Sequence, residues 1–167
     1  MVDNMENAEK GQYALSIFRI LIGWLFIWGV LDKMFGLGFK TPAEGAWVNG
    51  GSPSSFVVYV TKGVFADFFS SLAGNTFVDV LFMAGLLILG MTIILGVGTK
   101  LTTIFSITFF IVMYTICVPP EDNPLIDYRI ILAVGMLATY YLGGYGKLSL
   151  YDKWKEFPLV KQYPILE

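Results

Sequence analysis

Charged residues within long apolar stretches are the first candidates for chemistry in this sequence. Arg19, Asp32 and Lys33 all lie within RILIGWLFIWGVLDKMFGLGF, which covers residues 19–39. A charged side chain is costly to place in lipid, so such a residue usually faces the interior of a helix bundle and serves a pairing or a site. These three charges therefore need partners, water or a ligand.

The elements that must position these charges are predicted from four apolar runs of membrane-spanning length. The runs cover residues 13–31, 77–98, 101–118 and 126–143, and none contains a proline. About 20 apolar residues cross the hydrocarbon core as a helix, which satisfies its own backbone polar groups. We expect an all-α integral membrane protein, a four-transmembrane-helix bundle that forms a single domain over residues 1–167.

An up-and-down order of these helices gathers five charged residues at one end of the bundle. Asp32 and Lys33 close the first helix, Asp79 opens the second, and Asp127 and Arg129 open the fourth. One interpretation is a network of ion pairs that holds the helix ends together, with helix dipoles also favouring Asp79 and Asp127. The other is a pocket in which Lys33 and Arg129 bind an anion, because a guanidinium fork matches oxyanions and lysine supplies a mobile charge. Under either interpretation we predict one connected layer.

Arg19 also has two interpretations. It lies about two turns into the first helix, where its long side chain either extends to the headgroups or provides a fixed cation for a ligand. Cys117 borders the charged layer and is typical of a small buried apolar residue. Glycines within the apolar runs, among them Gly90 and Gly135, favour close helix packing.

The composition is typical of a membrane protein and excludes several kinds of cofactor site. The chain is 56% hydrophobic and only 14% charged, against roughly 25% charged in soluble domains. It has no histidine and one cysteine, which excludes a His-ligated haem, a Cys₄ iron–sulfur cluster and a His/Cys zinc site within this chain. The net charge of -2 gives no indication of nucleic-acid binding.

The distribution of lysines predicts the orientation in the cell membrane. In the predicted topology Lys10, Lys100, Lys147 and the lysines of the tail lie on the same side of the membrane. Basic residues favour the cytoplasmic side, so we expect both termini in the cytoplasm. The first loop, which carries Lys33, Lys40 and Lys62, is expected outside. Its apolar residues predict short interfacial helices over about 53–72 with a break at Gly63. The aromatic and basic tail, residues 147–167, is expected to lie at the interface.

Several of these stretches resemble a known family. RILIGWLFIWGVLDKMFG resembles the first-helix pattern of the DoxX/DoxD superfamily, here Arg19, Gly29 and Lys33. GLGFKTPAEGAWVNGGSPSS, FFSSLAGN and PPEDNPLIDYRI are more similar to the DoxD branch, the membrane subunit of thiosulfate:quinone oxidoreductase. The likeness covers about residues 13–165, nearly the whole chain.

This resemblance implies oxidation of thiosulfate to tetrathionate, with the electrons passed to membrane quinone. Because the sequence offers no ligand set for a metal or haem relay, sulfur and quinone must meet directly or a partner must carry the redox centre. The implied partners are the lipid bilayer, a separate DoxA-like subunit and further copies of the chain. The alternative function is a non-catalytic DoxX-like membrane scaffold or assembly factor. The candidate catalytic residues are Asp32, Lys33, Asp127 and Arg129, and the candidate quinone-binding residues are Arg19, Trp28 and Trp47.

Overall fold

The fold was examined in a computed structural model, which describes residues 2–61, 65–120, 123 and 125–167. The described residues form helices, turns and loops, with no strand among them. The predicted break at Gly63 and the loop lysine Lys62 lie outside the described residues. Eight α-helices occur within these described ranges, namely α1 Val2–Phe35, α2 Phe56–Val60, α3 Ala66–Ser70, α4 Thr76–Leu95, α5 Thr99–Ile116, α6 Tyr128–Tyr141, α7 Tyr151–Lys155 and α8 Pro158–Gln162.

Three of the described helices, α1, α4 and α5, are long and apolar enough to cross a membrane. The chain is therefore a helical membrane protein. At about 1.5 Å per residue, the 34 residues of α1 extend about 51 Å, well beyond a hydrocarbon core of about 30 Å. The end of the bundle that carries the segment between α1 and α4 is called the loop end, and the opposite end the terminal end.

Two helices are shorter than the apolar runs that predicted them. α4 ends at Leu95 because Gly96 adopts φ 67°, a left-handed conformation that terminates a helix. α6 begins only after Asp127, whose side chain accepts a hydrogen bond from the backbone N–H of Arg129. Its 14 residues extend about 21 Å, so the fourth crossing rests on the sequence prediction and not on helix length.

The first and second apolar helices, α1 and α4, approach each other through glycines. A Cβ atom added to Gly90 would lie 2.7 Å from Ile27 Cδ1, and one added to Gly23 would lie 3.0 Å from the carbonyl oxygen of Gly90. This close approach lets apolar side chains of both helices interlock on either side of the crossing. The buried core includes Ile22, Phe26, Met83, Leu86, Ile93 and Met136.

The residues after α8 fold back onto the start of α5. Gly98 precedes α5 and offers no capping side chain. Instead, the carbonyl oxygen of Glu167 accepts hydrogen bonds from Thr99 Oγ1 at 3.1 Å and from the backbone N–H of Lys100 at 3.5 Å. Trp154 Nε1 fixes this segment by donating to the carbonyl oxygen of Leu166 at 2.6 Å. The tail thus supplies the N-terminal cap that α5 lacks.

Candidate functional site

Asp32 lies in the last turn of α1 and binds the backbone of the loop that follows. Its side chain is almost fully buried, with 2% exposed. Oδ1 accepts a hydrogen bond from the backbone N–H of Phe39 at 3.2 Å, and Oδ2 accepts one from that of Lys40 at 3.0 Å. Both carboxylate oxygens are therefore engaged in holding the start of the loop against α1.

Asp79 plays a similar part in the first turn of α4. Its Oδ1 accepts a hydrogen bond from Ser52 Oγ at 2.9 Å and another from the backbone N–H of Ser54 at 2.7 Å. Ser54 is buried, and its hydroxyl accepts a hydrogen bond from the backbone N–H of Gly74 at 3.1 Å. These contacts dock the segment before α2 onto α4. Ser52 also precedes the 3₁₀ turn Pro53–Ser55, but its side chain makes no capping hydrogen bond there.

Asp127 and Arg129 pair with each other at the start of α6. The carboxylate accepts a hydrogen bond from the backbone N–H of Arg129 at 2.7 Å, and its second oxygen forms an ion pair with the guanidinium. The guanidinium carbon also lies 4.6 Å from the centroid of the Tyr128 ring. One nitrogen of the guanidinium, Nη1, is thus engaged by a carboxylate two residues earlier in the chain.

Lys33 is the exception among the predicted charges. Its Nζ lies 4.2 Å from the centroid of the Phe56 ring and 6.0 Å from that of Phe82, distances typical of cation–π contacts. Within the part of the chain that the structure describes, this half-buried ammonium has no hydrogen bond and no ion pair. Its N–H donors are therefore available to an anion or a carbonyl oxygen.

The five charges predicted to form one connected layer have mainly local partners. The structure brings Asp127 and Arg129 together, whereas Asp32 and Asp79 bind backbone and serine groups of the loop. Among the described residues, no direct hydrogen bond or ion pair joins these sets to each other or to Lys33. A connection through water stays a prediction.

A small apolar cavity lies at the loop end between the loop, α4 and α5, and two of its walls are rings that contact Lys33. Its volume is about 150 Å³. Its walls include Phe56, Val57, Phe69, Phe82, Met113 and Ile116. Because Phe56 and Phe82 also contact Lys33, the ammonium and the cavity share two aromatic rings. This arrangement could not be predicted from the sequence, since nothing in local spacing relates residue 33 to residues 56 and 82.

Arg19 lies at the terminal end, where it is completely buried. Its Nε donates to the carbonyl oxygen of Gly144 at 3.2 Å, and Nη2 donates to that of Leu148 at 2.8 Å and that of Lys147 at 3.5 Å. Nη1 donates to the carbonyl oxygens of Ile93 and Ile94, the latter at 2.8 Å. All five guanidinium N–H groups therefore have backbone acceptors, which favours a structural role for Arg19 over contact with a ligand.

These contacts also complete the C-terminus of α4. The last carbonyl groups of a helix lack partners within it, and a cation there is favoured by the helix dipole. Arg19 takes the carbonyls of Ile93 and Ile94, while that of Leu95 accepts the backbone N–H of Leu150 at 2.7 Å. Tyr145 lies beside the guanidinium, 5.4 Å from ring centroid to Cζ. Burial raises the pKa of Tyr145, which keeps its phenol neutral.

The three candidate quinone-binding residues are not brought together. Trp28 lies nine residues after Arg19 on α1, about 14 Å along the helix axis, and its ring contacts Phe39 edge-on at 5.0 Å. Trp47 lies in a short 3₁₀ turn of the loop and packs against the buried core. One ligand head could not contact Arg19 and both indoles at once.

No metal centre is indicated among the described residues, which contain no group of three or more His, Cys, Asp or Glu side chains able to hold a metal ion. Comparison with family models, curated proteins and solved structures found no match.

Proposed function

We propose that this chain is the membrane subunit of a quinone-linked sulfur oxidoreductase that converts thiosulfate to tetrathionate. The observation that supports this proposal best is Lys33, a half-buried cation without an ion pair among the described residues. The two aromatic rings that it contacts also line an apolar cavity. A cation with free donors suits an anionic substrate, and an apolar cavity suits the ring of a membrane quinone. The likeness to the DoxD branch supplies the identity of the two substrates.

The reaction balances without any further oxidant. Two thiosulfate ions each lose one electron and join through a new S–S bond, which gives tetrathionate. The two electrons, together with two protons from water, convert one quinone to quinol. The part of this chain is to hold the sulfur anion and the quinone close together while the charge moves.

In this proposal Lys33 and Arg129 keep the predicted part of holding the sulfur anion, and the part of Asp32 changes. Lys33 contacts the sulfur anion, whereas Asp32 holds the loop in place beside it through Phe39 and Lys40. Arg129 remains the second cation of the site, oriented by its ion pair with Asp127.

The proposed topology has four spanning helices, with both termini in the cytoplasm and the loop end outside. The exposed apolar residues Ile126 and Leu142 flank α6 and extend its apolar length at both ends. A partner subunit of DoxA type and further copies of the chain belong to the same proposal.

A second candidate function is a non-catalytic scaffold or assembly factor. Most buried charges favour it, because Arg19, Asp32 and Asp79 find their partners within the chain. On this proposal Lys33 is a packing residue that stacks on Phe56.

Thiosulfate-dependent reduction of decylubiquinone by the purified protein, with and without co-purified partners, tests the proposal. We expect Lys33→Met to lower the rate at least tenfold without a change in melting temperature. Lys40→Met is the matched control, because Lys40 is exposed and should keep the full rate. Absence of thiosulfate-dependent reduction from every preparation, or an equal rate for Lys33→Met, would overturn the oxidoreductase proposal in favour of the scaffold.

A further inference from the structure

We propose that Phe56 is a positioning residue of the anion site at Lys33: its ring holds the ammonium in place, and Asp79 holds the ring. This inference rests on the proposed function, in which Lys33 contacts the sulfur anion. It gives Asp79 a part other than the ion pairing predicted from the sequence.

The Phe56 ring attracts the ammonium without neutralising it. Lys33 Nζ lies 4.2 Å from the ring centroid, within the roughly 6 Å over which a cation is attracted to the face of an aromatic ring. A carboxylate in that place would accept the N–H donors and compete with an anion. Asp32, the preceding residue, has both carboxylate oxygens engaged by the backbone N–H groups of Phe39 and Lys40. The lysine is therefore held by a partner that leaves its donors to a ligand.

The Phe56 ring is itself part of a row of three rings that joins the loop to two helices. Its centroid lies 5.5 Å from that of Phe82 in α4, and Phe82 stacks on Phe109 in α5 with 6.4 Å between centroids. Val57, the next residue after Phe56, is buried. The first turn of α2 is therefore packed against the bundle at the point where it contacts Lys33.

Asp79 fixes the backbone that leads into Phe56. Its Oδ1 accepts hydrogen bonds from Ser52 Oγ at 2.9 Å and from the backbone N–H of Ser54, two residues before Phe56, at 2.7 Å. Asp79 and Ser54 are both buried, so water has little access to these bonds. Both use one acceptor atom, and the side-chain carbonyl of asparagine offers the same two lone pairs. The clamp therefore needs an oxygen acceptor at position 79 more than it needs a negative charge.

A proton–carbon NMR correlation spectrum of the purified protein in detergent, made with lysine labelled at Cε, tests the position of the ammonium without any ligand. The signal of Lys33 is identified by its loss in Lys33→Met, and the ring current of Phe56 should shift it upfield of the signal of the exposed Lys40. Phe56→Leu should remove this shift. Phe109→Leu is the matched control, because Phe109 belongs to the same row of rings and should leave the shift in place.

Binding of thiosulfate to the same preparations, measured by isothermal titration calorimetry, tests the consequence for the anion site. A lysine that occupies its binding position for only a fraction of the time binds with an affinity reduced by that fraction. The usual strength of a cation–π contact predicts a roughly three- to tenfold loss of affinity in Phe56→Leu. Asp79→Ala should weaken binding in the same sense, Asp79→Asn should restore it, and Phe109→Leu should bind as the wild type does.

Fluorinated phenylalanines at position 56 decide the matter if Phe56→Leu fails to fold. Each fluorine withdraws electron density from the face of the ring and changes its shape little, so thiosulfate affinity should fall stepwise with the number of fluorine atoms. A ring that serves packing alone would give no such trend.

The outcomes separate this inference from the proposed function. Equal affinity throughout the fluorinated series, or a wild-type Lys33 signal in Phe56→Leu, overturns the positioning role of Phe56. Wild-type binding by Asp79→Ala overturns that of Asp79. A Lys33 signal that follows Phe56 as expected, in a protein that binds no thiosulfate, supports the held position of the ammonium and overturns the proposed function.

Discussion

Replacing Arg19 with methionine should destabilise the protein strongly, because the guanidinium is the shared partner of the end of α4 and of the segment after α6. The carbonyl oxygens of Ile94, Leu148 and Gly144 lie 2.8, 2.8 and 3.2 Å from its nitrogens. The carbonyl oxygen of Gly144 keeps the hydroxyl of Ser16 as a donor at 2.9 Å, whereas those of Ile94 and Leu148 lose their donor. Each buried acceptor left without a donor costs roughly 1–3 kcal/mol, so these two together cost roughly 2–6 kcal/mol. Water entering from the terminal end would bring the loss toward the lower value.

Arg19→Lys is a milder substitution at the same position. Arg19→Lys keeps the charge but supplies three donors from one nitrogen, whereas the planar fork supplies five. The ammonium can therefore reach the end of α4 or the segment after α6, but it does not bridge them equally well. We expect its stability to lie between those of the wild type and Arg19→Met.

Unfolding in mixed micelles of dodecyl maltoside and dodecyl sulfate, followed by far-ultraviolet circular dichroism, measures these differences. Lys100→Met is the matched control, because it removes an exposed cation at the same end of the bundle. Substitutions of that kind usually change stability by no more than about 0.5 kcal/mol. If Arg19→Met unfolds with a free energy within about 0.5 kcal/mol of the wild type, the account of Arg19 as the partner of these carbonyls is refuted.

Two further predictions concern helix packing and orientation. Gly90→Ala should destabilise the protein by roughly 1–3 kcal/mol in the same unfolding assay through overpacking, because the added Cβ would meet Ile27 Cδ1 at 2.7 Å. Gly85→Ala is the control, since nothing lies within 4 Å of its added Cβ, and equal losses for the two would contradict the close crossing. A cysteine at the exposed Val48, in a Cys117→Ala background, should react with an impermeant maleimide in intact cells, and reaction only after lysis would reverse the orientation.

The sequence predicted the helical membrane character because runs of apolar residues without proline leave little alternative to a helix in lipid. It was less accurate at helix ends, which depend on single residues. Gly96 ends α4 by its left-handed conformation, and Asp127 delays the start of α6 by capping it. Gly96 and Asp127 both lie within the predicted apolar runs, and the average hydrophobicity of a run does not show that one residue in it ends or starts the helix.

The partners of the charges were harder to predict than the charges themselves. Arg19 binds carbonyl oxygens from α4 and from the segment after α6, and backbone acceptors carry no residue-type signal. Lys33 contacts Phe56 and Phe82, which the periodicity had treated only as part of an apolar surface. Of the five charges expected to pair with one another, Asp127 and Arg129 form an ion pair, and they are two positions apart in the chain. The other three have other partners among the described residues.

The cap on α5 has a consequence for the order of events during synthesis. Thr99 and its acceptor, the carbonyl oxygen of Glu167, are separated by 68 positions. At about 5–20 residues per second, the ribosome adds residue 167 roughly 3–14 s after residue 99. During that interval the backbone N–H groups in the first turn of α5 can bond only to water or lipid headgroups. The carbonyl oxygen of Glu167 caps the helix only after the tail has been made and has folded back.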